Sequence, residues 1–164
     1  MRLIPALLLS ASLLPAQSTA DPPEQAVRGA STFLQSCGTC HSLEGKGTAV
    51  GPDLTRIARV PPRGFLVAIK STVTQYVALV KPKDGDAFPG IQPEGQSFWW
   101  DLDKSPPEKR LLKPDQISSK ATNTKWKHPP SHTEYTSSQL ADIVAYVKWV
   151  SYHSRETVDP ATLE

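Results

Sequence analysis

The chain has 164 residues, 38% of them hydrophobic, with a formal charge of +2. That length fits one domain, or one domain with an insertion. The two signs of charge are interspersed, which argues against nucleic acid as the main partner, since phosphate binding needs a concentrated basic face. Sixteen prolines, clustered between Pro52 and Pro130, predict a middle of loops and short strands rather than one long helix.

In chain order, Arg2 precedes an apolar run, Leu3 to Leu14, broken only by Pro5, Ser10 and Ser12. Small residues follow to Ser18-Thr19-Ala20, a small-x-small cleavage pattern. The run falls short of the roughly 20 residues that span a bilayer. It reads as a signal peptide over 1–20, leaving an exported, periplasmic domain over 21–164 with no membrane span. Asp21-Pro22-Pro23 then opens a helix, with Ala26, Ala30, Phe33 and Leu34 on one face up to Cys37. Ser42 to Asp53 is glycine-rich and reads as loop, and Phe65 to Ile69 as a short helix. From Val73 the pattern turns to strands, with Asp84-Gly85 and Pro93-Glu94-Gly95 as turns. We read 73–112 as a β-rich insertion forming a small antiparallel meander, and Ser118 to Ser131 as loop. Thr136-Ser137-Ser138-Gln139 is a capping box, opening a last helix striped by Leu140, Ile143, Val144, Val147 and Val150, with Tyr146 at its margin.

The chemistry is concentrated at Cys37-Gly-Thr-Cys40-His41. In an exported chain two cysteines ordinarily suggest a disulfide, but that leaves His41 unexplained. A redox dithiol uses the same spacing but belongs at the start of a helix after a strand. A zinc site needs further ligands, and there is no second cysteine pair. Attachment of haem c accounts for all three residues: two thiols add to the porphyrin vinyl groups, and the next residue sets an imidazole under the iron.

With these residues in hand, the chain resembles class I (monohaem) cytochrome c from about 27 to 150. Gly29-Ala30-Ser31-Thr32-Phe33 is similar to the Gly-x-x-x-Phe of that family's first helix, Cys37 to His41 to its haem motif, and Gly51-Pro52-Asp53-Leu54 to its following loop. Leu140 to Trp149 is similar to its final helix. The insertion also resembles haem domains associated with bacterial quinoprotein dehydrogenases. The resemblance implies a mostly α cytochrome c fold with an inserted β-meander and one covalent haem c. It implies His41 as proximal ligand, with its Nδ1 donating to the carbonyl of Pro52, and a first helix whose glycine lets the last helix cross beside Tyr146.

One departure stands out. The family's distal methionine is missing, since the sole methionine is Met1. Lys127-His128-Pro129-Pro130 occupies the place of the usual Met-Pro, so His128 is the candidate sixth ligand. His132 and an open site are the alternatives. Trp126, two residues upstream, is a candidate cover for the haem, and one of Trp99 and Trp100 should be core. Lys104, Lys109, Arg110, Lys113, Lys120, Lys125 and Lys127 outnumber Glu108 and Asp115, a solvated surface or a docking patch for an acidic partner. The expected function is electron carriage to or from a redox partner protein such as a periplasmic dehydrogenase or oxidase. The protein is then no enzyme itself, unless as an accessory subunit of a dehydrogenase. The alternative is a gas-binding or sensor module with an open or displaceable distal site.

Overall fold

The computed structural model describes residues 21–70, 76–129 and 134–164. The leader expected over 1–20, the opening of the expected first strand at Val73, and His132 lie outside them. Helix α1 (Glu24–Ser36) buries Ala26, Gly29 and Phe33, one stripe at helical spacing. Helix α3 (Ser137–Tyr152) begins at the expected capping box: Gln139 N donates to Thr136 Oγ1 at 3.2 Å, and Thr136 N donates to Gln139 Oε1 at 2.9 Å. The two helices cross at Gly29, where a Cβ would stand 1.9 Å from the carbonyl oxygen of Asp142. No other residue fits there, because helix backbones can approach this closely only where a side chain is missing. Phe33 lies against Tyr146 with ring centres 5.2 Å apart. Arg28 forks onto Asp142 with two 3.0 Å bonds at the same crossing.

Between these helices come a two-strand hairpin, β1 (Ser42–Leu43) and β2 (Lys46–Gly47), a 3-10 turn at Arg56–Arg59, and helix α2 (Pro62–Lys70). The segment read as loop over 42–53 thus contains a tight hairpin, turned by Glu44 and Gly45 at φ 52° and 69°. After α3 the chain folds back. Gln25 clamps Val158 through two hydrogen bonds, of 2.9 and 2.8 Å, and Val158 and Leu163 join the helical core.

The other half is a five-stranded sheet, β3 (Ala78–Pro82), β4 (Phe88–Ile91), β5 (Phe98–Asp101), β6 (Glu108–Leu111) and β7 (Ile117–Thr122). The spatial order is β6-β5-β4-β3-β7, antiparallel throughout. Its own core is Val80, Phe88 and Trp99, flanked by Ala78, Leu112 and Ile117. Trp99 is therefore the core tryptophan of the pair.

This sheet corrects two expectations. The chain is not mostly α: the described residues are 37% helical and 20% strand. The segment from Ser118 to Ser131 is not all loop either, because Ile117–Thr122 is a strand beyond the expected meander. Its sequence, Ile-Ser-Ser-Lys-Ala-Thr, is exposed after the first residue and carries no apolar alternation. Backbone pairing with β3, from Ala78↔Thr122 to Lys81↔Ser119, forms it, and main-chain hydrogen bonds leave no mark on side-chain pattern.

Candidate functional site

The site starts where α1 ends. Cys37 closes the helix, its N donating to Phe33 O at 2.8 Å, and the next turn brings His41 N to Cys37 O at 2.8 Å. The carbonyl of Cys40 accepts from Val50 N at 3.0 Å and Gly51 N at 2.8 Å, so the loop over 42–53 returns to the cysteine turn. Asp53 pins that loop. Its carboxylate accepts from Ser42 Oγ at 2.7 Å, Gly45 N at 3.0 Å and Thr55 N at 2.8 Å. The result sets the carbonyl of Pro52 2.7 Å from His41 Nδ1. A carbonyl only accepts, so Nδ1 carries the proton and Nε2 is left with its lone pair free to ligate. Gly51 makes room for the ring: a Cβ there would lie 2.5 Å from His41 Cε1.

The electrostatics suit ligation and not thiol redox chemistry. Burial, with a smaller contribution from Cys40, pushes the Cys37 thiol up to about 11. A dithiol redox centre depends on the opposite shift. Burial also lowers His41, against the raising effects of the Pro52 carbonyl and Asp53. His128 is lowered by burial first and by His41 last, with the Ile69 carbonyl opposing. Both imidazoles are thereby kept in the neutral form that binds metal. Hydrogen bonds, those of Thr55 foremost, hold Asp53 far below the ordinary carboxylate range.

His128 faces His41 across the cavity, ring centres 6.0 Å apart and planes at 78°. Its Nδ1 lies 3.4 Å from the carbonyl of Ile69, near the end of α2. Trp126 stands beside it, 6.2 Å between ring centres. Two cavities adjoin the histidine pair. One, of about 360 Å³, runs inward between Phe33, Leu54, Phe65 and Ile143 and is lined almost wholly by apolar side chains. The other, of about 630 Å³, lies between the cysteine turn and the β5–β6 loop, residues 102–107. Both are bordered by Cys37, His41, Ile91, Trp126 and His128.

These residues fit an iron porphyrin. Two metal–imidazole bonds of about 2 Å each, plus about 1 Å from each nitrogen to its ring centre, put facing imidazoles about 6 Å apart. That is the observed separation. Cys37 and Cys40 are not joined in a disulfide, and both border the outer cavity.

The construction is that of a c-type cytochrome. Residues 26–151 match the family model Cytochrome c, and the chain belongs to that family, whose members bind haem c covalently, typically one per domain. It is a haem-based electron-carrying cytochrome. No individual curated protein matches it. Among the described residues no helix is long and apolar enough to cross a membrane.

Six residues singled out by sequence, Cys37, Cys40, His41, Pro52, Trp126 and His128, border one or both cavities. Trp99 borders neither; it is buried in the sheet. Several wall residues escaped the sequence reading: Tyr76, Val77 and Ile91, and the loop from Leu102 to Pro107. Ile91 carries no signal beyond an ordinary strand residue. Lys104 was legible only as one of a basic stretch, and nothing local says that its loop faces the cysteines.

Proposed function

We propose that the protein is an exported monohaem carrier of single electrons, its iron held between His41 and His128. The observation that carries this reading is the opposed pair of imidazoles 6.0 Å apart, with His41 Nδ1 committed to Pro52. A single Cys-x-x-Cys-His motif in a chain with two cysteines supports one haem, and the leader-like run over 1–20 supports export. The bound group supplies a reversible one-electron change at iron. The chain supplies the rest. Cys37 and Cys40 fix the porphyrin edge, Pro52 orients and enriches the proximal ring, and Phe33, Leu54, Phe65 and Ile143 keep water from the inner cavity. An imidazole in place of methionine sets the potential below that of a Met/His site. The partner we propose is an exported dehydrogenase or oxidase.

Visible and near-infrared spectra of both oxidation states test the ligand set. Six-coordinate, low-spin spectra without the methionine–iron band are expected, and His128→Ala should give high-spin iron that takes up carbon monoxide readily. A wild-type protein that is already high-spin excludes His128 as ligand. Acid–acetone extraction should leave the colour with the protein, and colour moving wholly to the organic layer would exclude the thioethers.

One observation favours a second reading, exogenous-ligand binding. The tether of His128 to Ile69 is 3.4 Å, against 2.7 Å for His41 to Pro52, so the distal ring is the less firmly held of the two. Rapid displacement of His128 by carbon monoxide in the reduced wild type would put that reading ahead.

A further inference from the structure

The sheet has a second face. Paired residues of an antiparallel ladder share a face, and the register sets Ile91 opposite Trp100, Trp100 opposite Lys109, and Phe98 opposite Leu111. Ile91 borders both cofactor cavities. The row from Ile91 through Trp100 to Lys109 therefore leads from the cavity wall to the outer edge of the sheet. Phe98 and Trp100 meet edge to face, ring centres 5.5 Å apart, and Lys109 Nζ lies 4.7 Å and 5.1 Å from their centres. Beside Phe98, Leu111 is 78% exposed, the most exposed of the large hydrophobic side chains among the described residues.

The patch carries two lysines, Lys109 and Lys104, with Asp103 beside the second. Asp101 and Glu108, opposite each other in the ladder, lie on the other face, where Asp101 takes Arg110. Neither Lys109 nor Lys104 belongs to an ion pair among the described residues. Lys104 sits on the loop that borders the outer cavity. Two half-buried aromatics with an exposed leucine and a cationic margin are the composition of a protein-docking patch, and none of them belongs to the cluster of Val80, Phe88 and Trp99.

We propose that the face of β5 and β6 carrying Phe98, Trp100, Lys109 and Leu111 docks a redox protein with an acidic rim and brings it beside the cofactor by way of Ile91. The apolar centre gives close contact, and Lys109, held over two rings, presents its charge at a fixed point. Exchange across this contact moves one electron and forms no bond. The proposal rests on the electron-carrier reading.

The test uses flavodoxin, an acidic one-electron flavoprotein, as probe, with the full haem-loaded protein. In the reaction the flavin hydroquinone anion loses one electron to ferric iron and becomes the neutral semiquinone, with no proton moved. Wild-type reduction should slow as salt rises. Lys109→Glu should lower the rate about tenfold at low ionic strength and match wild type at high salt, and Lys109→Arg should restore it. Leu111→Ser should lower the rate about threefold at every salt concentration. With both proteins oxidised, so that no electron can pass, added flavodoxin should shift the amide NMR signals of residues 98–111. Unchanged visible spectra in the variants establish that fold and haem are intact. Variants that react like wild type, or shifts confined to other surfaces, overturn the docking proposal alone. If flavodoxin hydroquinone fails to reduce the wild type at all, the carrier reading falls and the docking proposal with it.

Discussion

In the helical body, twelve buried side chains from α1, α2, α3, the first hairpin, the 3-10 turn and the C-terminal tail share one cluster. In the sheet, Val80, Phe88 and Trp99 form the buried cluster. The two regions are stabilised by different means. The body relies on apolar area, at about 25 cal/mol per Å², and on backbone contact at Gly29. The sheet relies on ladder hydrogen bonds and on long cations laid over rings: Arg110 is 4.2 Å from the centre of Phe88, and Lys120 5.4 Å from that of Trp99. Their aliphatic stems cover aromatic surface while the charges stay wet. A cofactor site thus sits on a tightly packed helical frame, and a lightly built sheet supplies its outer wall. Exposed charge and aromatic surface on the sheet can vary without disturbing the frame.

The comparison is easiest to break at the helix crossing. Gly29→Val puts a branched side chain where even a Cβ lies 1.9 Å from a backbone oxygen. It should cost about 3 kcal/mol or more, read as a large drop in the urea midpoint together with loss of haem incorporation. Retention of both would mean that the helices separate at little cost. Trp99→Ala should cost about 3 kcal/mol, but within the sheet. Hydrogen exchange should show β3 to β7 opening while α1 and α3 stay protected, with the haem still attached. Loss of protection across both regions at once would show a single cooperative unit. Asp101→Asn removes the partner of Arg110, a 3.3 Å pair whose carboxylate side is 4% exposed and whose guanidinium side is 34% exposed. Breaking a pair with one buried and one partly exposed member should cost about 1–2 kcal/mol, under the figure for a fully buried one. A stability equal to wild type in urea melts would assign that pair to solvent.

The smallest effect belongs to the loop that positions His41. The Asp53 carboxylate is held far below its ordinary value, by Thr55 first and then Ser42 and Gly45. A depressed carboxylate contributes stability that is fully present above the unfolded value of about 4 and is lost as pH falls through the folded value. Asp53→Asn should therefore flatten the acid limb of the stability curve below about pH 4 and leave its slope near pH 7 unchanged. An acid limb identical to that of wild type would mean that Asp53 contributes nothing through its charge. Because the same carboxylate fixes the Pro52 carbonyl, the variant should also show a small shift in the visible spectrum at neutral pH.

What the sequence determined by itself was local. Cys37, Cys40 and His41 are adjacent in the chain, Pro52 follows within one loop, and the cap of α3 is spelled out from Thr136 to Gln139. Short-range geometry permits few outcomes for such strings, so the proximal half of the site and both crossing helices were legible. The place of His128 was legible only as a gap, the position where a methionine was missing. Tertiary structure decided that its ring stands 6.0 Å from that of His41, because that distance depends on α2, the sheet and α3 all packing at once. It also decided that Ile117–Thr122 is a strand, since a polar segment pairs through its backbone and advertises nothing in its side chains. The wall of the outer cavity has the same origin: Leu102 to Pro107 faces the cysteines because β5 and β6 carry it there, a placement set by sheet register and by no residue of the loop itself.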